Sequence, residues 1–266
     1  MYTIRTYKRV ESLEEAYELN QKKTTTILGG GMWLRLGSRQ IGAAVDLSGL
    51  GLNTIEETDD AFIIGCMTPL RDMEIHQGLN QYFQDLIRDS LKDIVGVQFR
   101  NTATIGGSIY GRFGFSDPLT ALLALDTTVE MYKGGMIPLE EFVNMPYDRD
   151  ILVRIHIRKD GRRCAYQSFR NTRTDFPVLT TAVSCKEGQW RAVIGARPKK
   201  AALVEGAKKL PAKPEKQDVD ALAKEACETL KYEDNMRASG EYRKILTGVL
   251  LNRAVETVCG GMDHED

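Results

Sequence analysis

The residues best suited to chemistry are glycines and small hydroxyl side chains in a polar stretch between residues 100 and 116. Gly106 and Gly107 stand together there, flanked by Thr104 and Ser108. Paired glycines let a ligand approach the main chain closely, and successive backbone N–H groups can bind one anion. Because glycine is unfavourable inside helices and central strands, the stretch is predicted to be a loop. A phosphate is the ligand that this pattern favours, and a plain turn is the competing interpretation.

A second glycine cluster follows a predicted strand. Thr24–Leu28 is rich in β-branched residues, and Gly29, Gly30 and Gly31 come directly after it. Three consecutive glycines after a strand predict a concave turn whose amide groups can point at one anion. The pattern is not the GxGxxG fingerprint, and no acidic residue is clearly placed about twenty residues later, so a Rossmann domain is disfavoured.

The first stretch leads into a predicted buried helix. Asp117 is followed by Pro118 and by the apolar run Leu119–Leu125. An aspartate before a proline is typical of a helix N-cap with proline at the first helical position. The glycine stretch is therefore expected to end at the N-terminus of this helix.

Charge and composition exclude several classes of function. The 266 residues carry 36 Lys and Arg against 37 Asp and Glu, so the net charge of -1 gives no argument for nucleic acid or an anionic membrane. No apolar run is long enough to span a bilayer, and residues 1–8 lack the apolar segment of a signal peptide, so we expect a cytoplasmic protein. Five scattered cysteines without a CxxC pair predict no metal site.

The elements that must position these residues change in character along the chain. The first part alternates predicted helices and strands, whereas residues from Ile151 onward predict antiparallel strands followed by helices. This α+β pattern predicts two domains with a boundary near 145–155. The predicted helices cover 12–22, 86–95, 118–125, 200–208, 218–231 and 239–258, and the predicted strands cover 2–8, 24–28, 44–47, 61–65, 127–133, 151–158, 165–169, 176–183 and 189–194.

Three motifs resemble one known family. They are Ile27–Leu34, the stretch Arg100–Ile109 together with Asp117 and Leu122–Leu125, and Asn235–Lys244. In these motifs the chain resembles the FAD-binding subunit, or medium chain, of the molybdenum hydroxylases, which include xanthine dehydrogenase, carbon monoxide dehydrogenase and nicotinate dehydrogenase. The resemblance extends from the first predicted helix to the last.

The resemblance implies a fold and a division into domains. The fold would be an α+β FAD clamp of two subdomains, similar to the FAD-binding fold of vanillyl-alcohol oxidase, followed by an antiparallel sheet with a small helical bundle. Residues 1–150 would form the FAD-binding domain, with subdomains of about 1–50 and 51–150, and residues 151–266 the C-terminal domain.

The same resemblance implies a set of FAD-binding residues. The first glycine turn would wrap the pyrophosphate and ribityl side, the second would close over the same phosphates, and Asp117 would either bind a cofactor hydroxyl or merely cap its helix. Ile94 would lie against the adenine, and Leu152 and Arg170 near the flavin ring. The full set is Thr26, Ile27, Leu28, Gly29, Gly30, Gly31, Met32, Trp33, Ile94, Thr104, Gly106, Gly107, Ser108, Asp117, Leu152 and Arg170.

Several positions depart from the family pattern. Ser108 replaces the usual asparagine, and Gly31 and Met32 stand where threonine and an acidic residue are common. Bulky residues from Tyr110 to Phe113 replace a small, alanine-rich stretch, and they are expected either to stack on the cofactor or to pack at a subunit interface.

The implied activity is an electron relay. An iron–sulfur subunit would pass electrons through FAD to NAD or another acceptor, while a molybdopterin-binding subunit of the same complex oxidises the substrate. No general acid or base is needed for this relay, so no catalytic residue is expected. The alternatives are a self-sufficient FAD oxidoreductase and a non-catalytic nucleotide-binding module.

Overall fold

The computed structural model describes residues 2–260 and divides them into two compact units. The first unit holds the described residues of Met1–Met73, Val97–Gly111 and Thr127–Ile157, and the second holds those of Glu74–Gly96, Arg112–Asp126 and Arg158–Asp266. Each unit therefore collects three separate stretches of the chain. The mixture of helices and sheets confirms the predicted α+β class, whereas the division at residue 150 stays a prediction.

The strands are short, and most lie close to the positions that the sequence predicts. In chain order they are β1 (Thr3–Arg9), β2 (Thr25–Leu28), β3 (Gln40–Asp46), β4 (Ile55–Glu57), β5 (Ala61–Gly65), β6 (Thr127–Met131), β7 (Gly135–Pro138), β8 (Leu152–Arg158), β9 (Arg163–Phe169), β10 (Leu179–Lys186), β11 (Gln189–Gly195) and β12 (Ala202–Leu203).

Most helices are also short, and only the last ones are long. In chain order they are α1 (Leu13–Asn20), α2 (Leu70–Ile75), α3 (Gln77–Tyr82), α4 (Leu86–Leu91), α5 (Val97–Arg100), α6 (Ile105–Tyr110), α7 (Asp117–Ala124), α8 (Leu139–Phe142), α9 (Lys216–Thr229) and α10 (Gly240–Gly260), with 3₁₀ turns at Leu34–Leu36, Ser48–Leu50 and Glu205–Lys209. The helix predicted over 200–208 is wrong, because β12 and a 3₁₀ turn occupy that stretch.

The strands of residues 2–260 form three sheets. A parallel sheet has the order β1-β3-β2, a second sheet the order β4-β5-β8-β6-β7, and a third the order β12-β11-β10-β9. In the third sheet all neighbouring strands are antiparallel, as predicted. Strand β8 was predicted to belong with this sheet, but it pairs with β6 in the second one, where Val129 lies opposite Ile155.

The glycine-rich stretch is not wholly the loop that the sequence predicts, because α5 ends at its first residue, Arg100, and α6 lies within it. Thr104 caps α6, since its Oγ1 accepts the backbone N–H of Gly107 at 3.3 Å. Ile105 and Ile109, four residues apart, are both fully buried. Their burial outweighs the cost of about 1 kcal/mol for each glycine inside a helix.

Helix α7 is the buried helix that the sequence predicts, although its cap differs. Ser116, not Asp117, is the N-cap, and its hydroxyl accepts the backbone N–H of Leu119 at 3.3 Å. Asp117 is therefore the first helical residue, and its carboxylate is not needed to cap the helix.

The core of the second unit packs β9, β10 and β11 against α9 and α10. Trp190 and Leu251 are among its buried residues. Arg243 of α10 is completely buried and donates to the carbonyl oxygens of Val178, Glu233 and Ala238. The third motif of the sequence therefore includes a buried guanidinium that holds three backbone segments together.

Candidate functional site

The first glycine turn follows β2 in the first unit and requires glycine for backbone reasons. Gly30 has a φ of +76° and Gly31 a φ of +67°, in the left-handed region that favours glycine. A Cβ on Gly30 would lie 2.0 Å from the carbonyl oxygen of Thr102. A Cβ on Gly31 would meet only the Tyr2 hydroxyl, at 3.8 Å. Gly30 is therefore fixed by packing, whereas Gly31 faces open space.

The structure brings the two glycine clusters of the sequence together within this unit. A Cβ on Gly29 would lie 2.9 Å from Thr104 Oγ1, and one on Gly107 would lie 3.1 Å from the carbonyl oxygen of Gly29. Gly106 packs as closely on the residue that follows β5, since its Cβ would lie 2.5 Å from the carbonyl oxygen of Cys66. Much of the glycine in these motifs thus serves close contact between backbones.

The two clusters differ in their free hydrogen-bond donors. Within residues 2–260, the backbone N–H groups of residues 29–32 donate to no protein acceptor. In α6, by contrast, the Gly106 amide donates to the Cys66 carbonyl at 2.9 Å and the Gly107 amide to Thr104 Oγ1. The first turn therefore offers several backbone N–H donors to an anion. The N-terminal part of α6 packs against this turn.

The other predicted residues of the first unit lie in regular elements. Thr26, Ile27 and Leu28 belong to β2 and pair with β3. Trp33 packs on Phe99, with ring centroids 5.0 Å apart. Met32 follows the turn, Ser108 lies in α6 with its hydroxyl donating to the Thr104 carbonyl, and Leu152 is buried in β8.

In the second unit the structure brings Asp117 and Arg170 together. Asp117 is only 4% exposed. Its Oδ1 accepts hydrogen bonds from the Tyr166 hydroxyl at 2.6 Å and from the Arg170 guanidinium. Its Oδ2 has no side-chain partner among the residues that the structure describes. Both side-chain donors thus bind the carboxylate through one oxygen, and its own backbone amide donates to it as well.

Burial dominates the ionisation of this cluster. It raises the pKa of Asp117 to about 6, against the opposing effects of the Arg170 charge and the Tyr166 hydrogen bond. Burial also raises the pKa of Tyr166 well above its usual value, so the phenol keeps its proton and donates it to Asp117. Tyr166 is not among the residues predicted from the sequence. Its spacing from Arg170, which directly follows β9, was a signal, since residues four apart along an extended chain share a face.

Arg170 links the cluster to a second ion pair. Its Nη1 donates to the carbonyl oxygen of Asp175 at 2.6 Å, and the Asp175 carboxylate accepts Arg237 Nη2 at 2.7 Å. Arg170 Nε is buried without a hydrogen-bond partner among the described residues. Ile94, predicted to lie against adenine, is a buried residue of the same unit.

The bulky residues that depart from the family pattern make aromatic contacts. In the second unit Phe113 stacks on Phe115 with centroids 5.2 Å apart, and Phe115 meets Phe176 edge-on at 4.5 Å. In the first unit Tyr110 donates its hydroxyl proton to the Asp148 carbonyl at 2.8 Å. Phe113 and Tyr110 thus contact other residues of this chain.

Among the described residues, no three His, Cys, Asp or Glu side chains come together as a metal-binding group. None of the helices in residues 2–260 is long and apolar enough to cross a membrane.

Comparison with known proteins identifies similar chains. Residues 2–158 match the family model described as the FAD binding domain in molybdopterin dehydrogenase. The chain is 27% identical over 258 residues to the uncharacterized protein YgfM of Escherichia coli (strain K12), covering 91% of this chain and 92% of that protein.

Solved structures match nearly the whole chain. A chain of carbon monoxide dehydrogenase from Hydrogenophaga pseudoflava matches with a TM-score of 0.86 at 22% identity, covering 96% of this chain and 97% of that one. A chain of quinoline 2-oxidoreductase from Pseudomonas putida 86 matches with a TM-score of 0.84 at 18% identity, with coverages of 96% and 97%. At these identities the likeness shows the fold, and the fold expected from the motifs is confirmed.

Proposed function

Since the chain belongs to the molybdenum hydroxylase family as its FAD-binding subunit, we propose that it passes electrons from a partner chain through FAD to an external acceptor. The partner would be an iron–sulfur subunit, and a molybdopterin-binding subunit of the same complex would oxidise the substrate. The acceptor would be NAD or another oxidant, and the complex would work in the cytoplasm.

The residues of the first unit fit the cofactor. The free backbone donors of residues 29–32 suit a pyrophosphate, and they are the observation that carries the proposal. Gly31 leaves the approach to them open, since a Cβ there would meet only the Tyr2 hydroxyl. Thr26–Trp33 would hold the phosphates, with Thr104 and Gly106–Ser108 supporting them and Leu152 near the flavin.

The predicted residues of the second unit also fit FAD. Asp117 Oδ2 would accept a hydrogen bond from a cofactor hydroxyl, Arg170 would lie near the flavin, and Ile94 near the adenine. Arg170 Nε is buried and has no hydrogen-bond partner among the described residues, which supports the proposal that a polar group of the cofactor lies beside it.

Bound FAD supplies the electron chemistry, and the chain holds it and controls access to it. Outer-sphere electron entry moves no proton at a protein side chain, so the proposal assigns no catalytic acid or base. The roles of Asp117 and Arg170 are binding and orientation.

A patch of exposed apolar side chains supports the proposal that this chain binds a protein partner. Tyr242, Ile245 and Val249 lie three and four residues apart on α10, so they share one face, and Met236 just before the helix is 90% exposed. We propose this α10 face as the contact with the iron–sulfur subunit.

The experiment is to purify the tagged chain from its native cells and measure flavin, iron and molybdenum in the eluate. Co-elution of FAD with both metals and two further chains is the expected result. Anaerobic addition of NADH then tests the acceptor, since bleaching of the flavin band assigns NAD. A chain that carries FAD without either metal, and that oxidises a substrate alone, would contradict the relay.

A further inference from the structure

The buried cluster around Asp117 has an asymmetry that its ion pair alone does not explain. Both of its side-chain donors, the Tyr166 hydroxyl and the Arg170 guanidinium, bind the same carboxylate oxygen, Oδ1. Among the described residues, the other oxygen, Oδ2, has no side-chain partner. The carboxylate also accepts a hydrogen bond from its own backbone amide. An ionised carboxylate has about four acceptor sites, so Oδ2 keeps the capacity to accept from a ligand.

Tyr166 is well placed to create this asymmetry. Its position in β9 is fixed by pairing with Ala182 of β10, and its side chain is buried. The 2.6 Å hydrogen bond to Asp117 is short, as expected for a hydroxyl that donates to a carboxylate. Since Arg170 alone could bind both oxygens side by side, the phenol on Oδ1 favours the one-oxygen arrangement.

We propose that Tyr166 is a positioning residue of the cofactor site, which holds Asp117 through Oδ1 so that Oδ2 accepts a hydrogen bond from an FAD hydroxyl. This inference rests on the proposed function, in which Asp117 binds FAD. Tyr166 acts through Asp117 and is not assigned a contact with the cofactor.

The test compares Tyr166→Phe with Tyr232→Phe in FAD titrations of the full-length apo chain. Both variants remove a phenol hydroxyl in the second unit and keep the ring, and the Tyr232 hydroxyl forms a hydrogen bond with Thr247 Oγ1 at 3.0 Å. Tyr166→Phe is expected to weaken FAD binding about tenfold, as for the loss of one well-placed hydrogen bond. Tyr232→Phe is expected to bind FAD like the wild type.

The pH dependence of FAD affinity separates positioning from mere packing. The titratable groups that act on Asp117 are Tyr166 and Arg170. Because the Tyr166 hydrogen bond lowers the pKa of Asp117, removing it raises that pKa, and the midpoint of the affinity profile moves to higher pH. A purely structural role of Tyr166 would not move this midpoint.

A second variant keeps the test decisive if Tyr166→Phe is poorly folded. In an Asp117→Asn background, adding Tyr166→Phe is expected to cause little further loss of affinity, because both changes remove the same interaction. Additive losses, or a Tyr166→Phe chain with wild-type affinity and midpoint, would overturn the positioning role. A wild-type chain that binds no FAD would instead contradict the proposed function.

Discussion

At the scale of single residues, neighbouring glycines have different roles. Gly30 allows the turn to touch the Thr102 carbonyl, whereas Gly31 provides only the left-handed backbone. The sequence shows three equivalent glycines, because nothing in it reveals which carbonyl lies opposite. Its prediction of an anion-binding turn depended on the glycine run alone.

Gly30→Ala is expected to abolish FAD binding, because the new Cβ would lie 2.0 Å from a backbone oxygen and must displace the turn. Gly51→Ala is the matched control. Gly51 has a φ of +67° and open space around an added Cβ, and it is not a predicted site residue, so the change should cost about 1–2 kcal/mol of stability while retaining FAD. FAD titration with thermal unfolding measures both. Equal FAD affinity in the two variants would contradict the role of the turn.

Asp117 should give the apo chain a characteristic pH dependence of stability. Its pKa is about 6 when folded, against 3.8 as its ordinary value, so the folded chain binds this proton more tightly than the unfolded one. The contribution to stability is therefore full below pH 3.8 and is lost as pH rises through about 6.

Asp117→Asn removes this titration. Between pH 4 and 6 the free energy of unfolding of the wild type should fall relative to that of the variant, by on the order of 1 kcal/mol for each pKa unit. Urea unfolding at a series of pH values measures the difference. Parallel curves for the two proteins would show that Asp117 ionises normally.

At the scale of elements, the sequence predicts most strands and long helices but misses α6. Its glycines argue against a helix, and only the tertiary contacts of Ile105 and Ile109 reverse that preference. Likewise, the alternation in β8 predicts a strand correctly, yet its partner β6 cannot be read from local pattern. The hydrogen bond between Tyr166 and Asp117 likewise joins segments that are distant in sequence, so local pattern does not predict it.

The segment before α5 contains a strained residue. Val95 has a φ of +50°, which is unfavourable for a β-branched side chain. Val95→Gly is therefore expected to raise the free energy of unfolding by about 1 kcal/mol. Val97→Gly is the control, since Val97 is equally exposed (43% against 42%) but helical, and should lower stability by about 0.5 kcal/mol. Denaturant melts compare them, and destabilisation by both would show that Val95 is unstrained.

The α10 face gives a prediction about assembly. Ile245 is 66% exposed, so Ile245→Asp should leave the fold and bound FAD intact but prevent co-purification of the iron–sulfur subunit. Met136→Asp introduces the same charge at an exposed position of β7 and should leave the complex intact. Pull-down with quantified iron distinguishes the two. Wild-type iron content in the Ile245→Asp preparation would place the partner elsewhere.

At the scale of the whole molecule, the two compact units interleave along the chain. Residues 97–111 belong to the first unit and residues 112–126 to the second, although they are continuous in sequence. The predicted site residues are therefore distributed over both units in an order that composition and periodicity do not reveal. The motif resemblance could predict them because a family motif assigns roles to positions in the sequence and does not depend on local structure.

The molecule's chemistry is consistent with a subunit that holds a redox cofactor for others. FAD is its cofactor, and no acid–base pair is required for the proposed relay. The choice of substrate is proposed to lie with the molybdenum-binding subunit.

The most direct test of this account is an FAD titration of the purified chain, followed by identification of the flavin released on heating. We expect FAD, not FMN, to be bound in an amount equal to the chain, with binding lost in Gly30→Ala and weakened below pH 6, the approximate pKa of Asp117. A chain that is colourless when purified and takes up no added FAD would contradict the account.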